Sequence, residues 1–201
     1  MFSDEVLEYK DSLGPGSDIA SQTNNYFRKE YFENPTPERK FSPPFIPGEI
    51  YFFRYQTDTK VSKERPFIDR LPVLLCTDVF DTEKAGTVVK GIDLIVVPPR
   101  IRIDILSKFT ENYKGEIQAN DQSYEKGAGK IPIKLTDPVL NTLLRGTGFK
   151  QALFGFKYRF IRNPGVLPSE DWSKLPYLSY NLVEGSPIQG IYKEYQTKLN
   201  L

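Results

Sequence analysis

From residue 48 onward, the apolar positions come in runs of strand length separated by short polar stretches. "GEIYFFRYQ" (48–56) is dense in aromatics and predicts a first strand. A polar loop over 57–65 follows. "LPVLLCTDVFDT" predicts a second strand, apolar at first and alternating later. "TEKAG" (82–86) is a turn closed by Gly86, and "TVVKGIDLIVVPP" predicts a third strand stopped by Pro98 and Pro99. Three strands with short connections suggest an antiparallel meander. The period then changes. Ile101, Ile105, Phe109 and Tyr113 recur in steps of four with Leu106 beside them, and Arg100, Asp104, Lys108 and Glu111 lie on the other side. This predicts an amphipathic helix opened by Pro99.

Beyond residue 113 the pattern weakens. Residues 114–130 are a long polar loop. "TDPVLNTLLRG" signals a helix with Asp137 as cap, Pro138 in its first turn and Gly146 at its end. "GFKQALFGFKYRFIRNPG" is ambiguous. Phe149, Ala152, Leu153, Phe156 and Phe160 fit a helix face, whereas Phe154, Phe156, Tyr158 and Phe160 fit strand alternation equally well. The expectation is helix to about residue 157, then a short strand through Ile161. A short helix from Ser169 and a last helix in "SPIQGIYKEYQTKL" complete the domain.

Residues 1–46 differ in texture. "DEVLEYKDSLG" is a short amphipathic piece ending at Gly14. A second helix is capped by Ser17 or Asp18, and a proline-rich run follows from Pro35. The expectation is an extended N-terminal arm over 1–46 with short helices, and a single α+β domain over 47–201. Such an arm buries too little to fold alone, so it lies along its own domain or a neighbouring subunit. The neighbour is the leading expectation, and removal of 1–46 should then leave a folded domain. The fold class is α+β: a small antiparallel sheet, for which a barrel-like form is one option, with helices packed on it.

Composition narrows the chemistry. The 201 residues carry 27 basic and 26 acidic side chains, a formal net charge of +1, so any charge-driven partner is met by a local patch. There is no histidine, which removes the commonest general base, metal ligand and pH switch together. Cys76, the one cysteine, has no internal disulfide partner and reads as a small core residue. No cofactor is expected, and the chain is not expected to be an enzyme. The acidic start has no apolar segment of the secretory kind, and no apolar run is long enough for a bilayer.

"EKGAGK" (125–130) departs from a phosphate loop, because Ile131 stands where a serine or threonine is needed. Asp78, Asp81, Glu83 and Asp93 lack the spacing of a calcium loop and read as a solvated strand end. Charge is most lopsided elsewhere. Residues 138–163 hold Arg145, Lys150, Lys157, Arg159 and Arg162 with no acid, interleaved with aromatics, while residues 1–34 are acidic. This basic stretch can be a solvated face over an aromatic core, a dock for an acidic protein segment, or a nucleic-acid contact.

Four segments resemble a group of small proteins of T4-like contractile-tailed bacteriophages. Gly48, Tyr51, Phe53 and Tyr55 match an opening G-x-x-Y-x-F-x-Y. Pro66, Asp69, Pro72, Val73 and Leu74 match a P-x-x-D-x-x-P-L-V corner with its last pair inverted. Gly91, Leu94, Pro98, Pro99 and Arg102 match a G-x-x-L-x-x-x-P-P-x-x-R segment, and Pro168, Glu170, Asp171 and Trp172 a late proline-acid-Trp helix. The match spans about two thirds of the chain. It omits the arm, and the loop 114–130 departs from it. The resemblance implies a structural role in a virion assembled in the host cytoplasm, in tail, baseplate or neck, with other phage structural proteins as partners in a multi-copy assembly. Relatives labelled DNA end protectors imply nucleic acid as the alternative partner.

Overall fold

The computed structural model describes residues 2–33, 45–56, 71–97, 99–110 and 153–178. Its centre is a five-stranded antiparallel sheet in the order β4-β3-β2-β1-β5. The strands are β1 (Ile50–Tyr55), β2 (Val73–Thr82), β3 (Gly86–Asp93), β4 (Leu153–Lys157) and β5 (Ile161–Leu167). The expected meander is β1, β2 and β3. The turn after Thr82 closes through Gly86, whose φ of 69° is in the left-handed region. β3 stops at Asp93, short of the expected prolines, because that side chain accepts a hydrogen bond from Ile95 N (3.3 Å) and starts a 3-10 turn over Leu94–Val96.

β2 carries a bulge at Thr77. Cys76 pairs with Gly91 and Asp78 with Lys90, so Thr77 is the extra residue, and its Oγ1 donates to Lys90 O (3.1 Å). Beside the bulge the strands approach so closely that a Cβ on Gly91 would lie 2.4 Å from Leu75 O. A second bulge lies between β1 and β5. Phe52 faces Gly165 and Arg54 faces Arg162, leaving two residues of β5 against one of β1, with Asn163 at a φ of 49°.

The α+β class is as expected, and the sheet curls without closing into a barrel. β1 and β4 are three strand intervals apart, about 14 Å in a flat sheet. Yet the Tyr55 and Phe53 rings lie 5.0 Å and 5.2 Å from the Phe156 ring, and Lys157 N donates to Tyr55 Oη (3.3 Å). β4 and β5, the two edges, are joined only by a 3-10 turn over Tyr158–Phe160.

Alternation in β1 then makes two cores. Ile50 and Phe52 join Val73, Leu75, Ile92 and the helices on one face. Tyr51, Phe53 and Tyr55 join Phe45, Leu74, Cys76, Val89, Phe156 and Ile161 inside the curl.

The segment 153–157 is strand where helix was expected. Both periods were present in its aromatics, and tertiary pairing decided between them. β3 offers an open edge, and Val88 through Ile92 pair with Lys157 back to Leu153. The helix after Pro99, α3 here, runs over 99–110 and buries Ile101, Ile105, Leu106 and Phe109.

The N-terminal helices are present as α1 (Phe2–Ser12) and α2 (Ile19–Phe27), with Asp18 capping α2 by accepting from Ser21 N (3.0 Å) and a π-helical turn over Arg28–Glu33. They pack on the chain's own sheet. Phe2, Val6, Phe27 and Tyr31 belong to the helix-side core, and Tyr31 packs edge-on against Phe52 at 4.5 Å. Residues 2–33 therefore share one core with the sheet, and removing them would uncover it. The Pro66–Asp69–Pro72 corner other than Pro72, the loop 114–130, the helix signalled at 137–146 and the last helix lie outside the described residues.

Candidate functional site

The buried polar groups come first, because a catalytic centre would draw on them. Arg102, on α3, is 1% exposed. Its Nε donates to Val97 O (2.6 Å), its Nη1 to Leu175 O (2.7 Å) and Leu178 O (2.5 Å), and its Nη2 to Ile95 O (3.2 Å). A guanidinium has five donors in a rigid fork, and here they knot three segments together. Asp171, in the 3-10 helix Ser169–Tyr177, accepts from Tyr26 Oη (2.8 Å), Tyr31 Oη and Lys174 Nζ (2.5 Å). Trp172 Nε1 donates to Leu167 O (3.0 Å). The bonds from Tyr26 and Tyr31 tie the C-terminal described segment to the start of the chain.

Inside the curl, Tyr51 Oη donates to the Glu49 carboxylate (2.6 Å) and accepts from Ile46 N (2.8 Å). Burial first, then the neighbouring Glu49 charge, raises the Tyr51 phenol well above its ordinary value. The Cys76 thiol is fully buried, and that burial pushes it up to about 12. A thiol so placed is no nucleophile at neutral pH. Of the carboxylates noted in the sequence, Asp78 and Asp81 are exposed and make local bonds, to Val79 N (2.9 Å) and Thr87 Oγ1 (2.7 Å), while Asp93 is a buried cap. Among the described residues, no group of three or more His, Cys, Asp or Glu side chains is placed to hold a metal ion. No described helix is long and apolar enough to cross a membrane.

The basic stretch is the candidate site. Arg145 and Lys150 lie outside the described residues. Lys157 ends β4, Arg159 lies in the turn between the sheet edges and Arg162 opens β5, so three of the five candidates gather at one corner. Arg159 and Arg162 are exposed and Lys157 half-buried. Arg162 Nη1 folds back onto Arg159 O (2.7 Å) and Ile161 O (2.9 Å), and the Arg159 guanidinium lies 4.9 Å over the Phe160 ring.

The structure adds a residue that the sequence reading passed over. Arg54 of β1 is exposed and stands directly opposite Arg162 in the register. Like charges directly opposite on adjacent strands tend to destabilise a sheet, and here Arg162 turns its Nη1 onto the backbone carbonyls of the turn. The signal was available in "IYFFRY", where Arg54 is the single charge and the single exposed position. Tyr158, in the same turn as Arg159, is 45% exposed and meets the Phe45 ring edge-on at 6.0 Å. Among the described residues, none of these four cations forms an ion pair.

Comparison with protein-family models, curated proteins and solved structures finds no match to this chain.

Proposed function

We propose that the chain is a non-enzymatic structural component of a contractile-tailed bacteriophage particle, in its tail, baseplate or neck, acting through contacts with other particle proteins. One observation carries the reading beyond the resemblance itself: Tyr51, Arg102, Asp171 and Trp172 of the pattern spend their polar groups inside the frame. Arg102 holds backbone carbonyls, Asp171 ties its 3-10 helix to the first helices, Trp172 ties the same helix to the end of β5, and Tyr51 braces Glu49. Gly91 allows the strand contact that no side chain would permit. A pattern made of framework residues defines a shape, and a shape used as a surface is what a particle subunit requires.

The test is mass spectrometry of purified particles from a phage encoding this chain. The expected result is that its peptides stay at a fixed ratio to a major tail protein across the density gradient. Peptides confined to the soluble lysate would reject the reading. The alternative, a virion DNA-binding protein of the end-protector kind, would use Arg145, Lys150, Lys157, Arg159 and Arg162; it predicts DNA affinity that weakens steeply with salt, and undetectable binding at low salt would eliminate it.

A further inference from the structure

We propose that α1 is a releasable strap. It lifts off the 3-10 helix Ser169–Tyr177 as one unit, about a hinge at Leu13–Ser17, while α2 and the sheet stay in place. This inference does not rest on the particle reading.

The two N-terminal helices are held in different ways. α2 and the π-helical turn after it are pinned. Thr23, Phe27 and Tyr31 are buried, Tyr26 and Tyr31 donate to the Asp171 carboxylate, and the Tyr31 ring packs on Phe52. Hydrogen bonds to a buried carboxylate are costly to break, because the charge is left without its donors.

α1 has the lighter hold. Of its eleven residues, Phe2 and Val6 are buried one turn apart, with Tyr9 half-buried on the same side. Its main neighbour is the 3-10 helix, where the Tyr9 ring lies 5.9 Å from Tyr177. Its bonds to other elements include a neutral hydroxyl pair, Tyr9 Oη and Thr23 Oγ1 (3.0 Å), and a long bond from Tyr177 Oη to Val6 O (3.3 Å). Both are only part-buried, so water replaces them at little cost.

The hinge favours release. Gly14 and Gly16 have φ of 82° and 81°, on either side of Pro15. A Cβ on Gly16 would meet nothing within 4 Å, and one on Gly14 only the Ser17 hydroxyl at 4.0 Å, so the turn is not packed against the body at these points. Its hydrogen bonds are local: Leu13 N to Lys10 O (3.3 Å), Gly14 N to Asp11 O (3.2 Å), Ser17 N to Gly14 O (3.4 Å), and Ser17 Oγ to Leu13 O and to Gly14 O. Extending the turn gives these up to water and leaves the pins of α2 intact.

A free helix of this length is marginal in water, so once Phe2 and Val6 leave the core, α1 is lost together rather than turn by turn. The floor beneath it stays built. Lys174 Nζ loses the Tyr9 ring at 5.6 Å but keeps the Tyr26 ring at 5.0 Å and the Asp171 carboxylate at 2.5 Å. The freed segment from Phe2 to Gly14 reaches roughly 40 Å when extended, enough to carry its two apolar anchors off the subunit.

The experiment is hydrogen exchange of the full chain, read by mass spectrometry on overlapping peptides, with circular dichroism to verify folding of each variant. The expected result is a step at the hinge. Amides from Val6 to Ser12 share one rate, slower than in an unstructured chain yet about hundredfold faster than those of α2 and β3. Val6→Ala should speed the α1 amides about tenfold and leave α2 and β3 unchanged. Tyr9→Phe, which keeps the ring and removes the hydroxyl pair, should give the same pattern at about threefold, and serves if Val6→Ala disturbs folding. Tyr26→Phe, which takes one donor from Asp171, should speed α2 about tenfold and leave the rate of α1 as it is.

α1 and α2 exchanging at one rate would make residues 2–33 a single unit and overturn the proposal. So would rates that climb evenly from Ser12 toward Val6, which is fraying, protection of α1 equal to that of β3, or α1 amides at the rate of an unstructured chain. A Val6→Ala or Tyr9→Phe chain in which α2 speeds up as much as α1 would overturn it as well.

Discussion

The two faces of β1 are built in opposite ways. On the helix side, Ile50 and Phe52 are covered by pieces from distant parts of the chain: Phe2 and Val6, Tyr31, α3, and Trp172 and Leu175. Apolar packing tolerates several arrangements of separate pieces, so this face also carries directional pins, Arg102 and Asp171. Inside the curl, Tyr51, Phe53 and Tyr55 are covered by the same sheet bent round on itself. Its rings meet nearly edge-on, at interplanar angles of 84° for Phe53 and 81° for Tyr55 against Phe156. Strand pairing already fixes their register, and the buried carboxylate there, Glu49, is bonded to Tyr51 only two residues away. The lesson is that buried charge joining distant segments goes where covalent continuity cannot hold pieces in place.

The largest expected effect strikes the pinned face. Arg102→Met should destabilise by about 3–5 kcal/mol, because four carbonyls lose the donor that Arg102 supplies at once. Urea unfolding measures it, and a loss under about 1 kcal/mol would mean that the pins are ornamental.

Phe53→Ala tests the other face. It should cost about 3–4 kcal/mol by cavity formation while leaving the far-UV spectrum unchanged, since packing rather than hydrogen bonding is removed.

Gly91→Ala comes next, at about 1–3 kcal/mol, since the new methyl meets a backbone oxygen that cannot step aside. A shift of the thermal midpoint downward is the readout, and an unchanged midpoint would show that the bulge can relax.

The smallest expected effect separates the faces by pH. Cys76 and Tyr51, both inside the curl, have raised pKa values. Above about pH 9 the unfolded thiol loses its proton while the folded one keeps it. The unfolded state then binds fewer protons, and stability falls as pH rises, by about 1.4 kcal/mol per unit for each such group. For Cys76 the loss runs from its ordinary value up to about 12. Cys76→Ala should move the start of alkaline destabilisation upward by about one unit, to where Tyr51 takes over. Melting curves at successive pH values give the result, and an unshifted onset would place the sensitive group elsewhere.

How much of this was legible in the sequence depends on how local each signal was. The meander, α3 and the Asp18 cap were readable because their periods and caps lie within a few residues. The strand at 153–157 was not, because its aromatics satisfied both periods and only the edge of β3, some sixty residues earlier, chose between them. The helix pair over 2–33 was read as an arm for a related reason: its partners Asp171 and Phe52 carry no mark in the N-terminal sequence. For the candidate site, Lys157, Arg159 and Arg162 were found by their density. Arg54 was missed because its neighbours in space come from a strand more than a hundred residues away.

The bonds from Tyr26 and Tyr31 to Asp171 span 145 and 140 residues. On the ribosome, where chains grow at about 5–20 residues per second, α1 and α2 emerge roughly ten seconds before the carboxylate that receives them. Their apolar faces stay uncovered during that interval, and most of the chain is complete before they dock. The last described segment to be synthesised thus decides when the first one folds, so a subunit released too early would expose its beginning rather than its end.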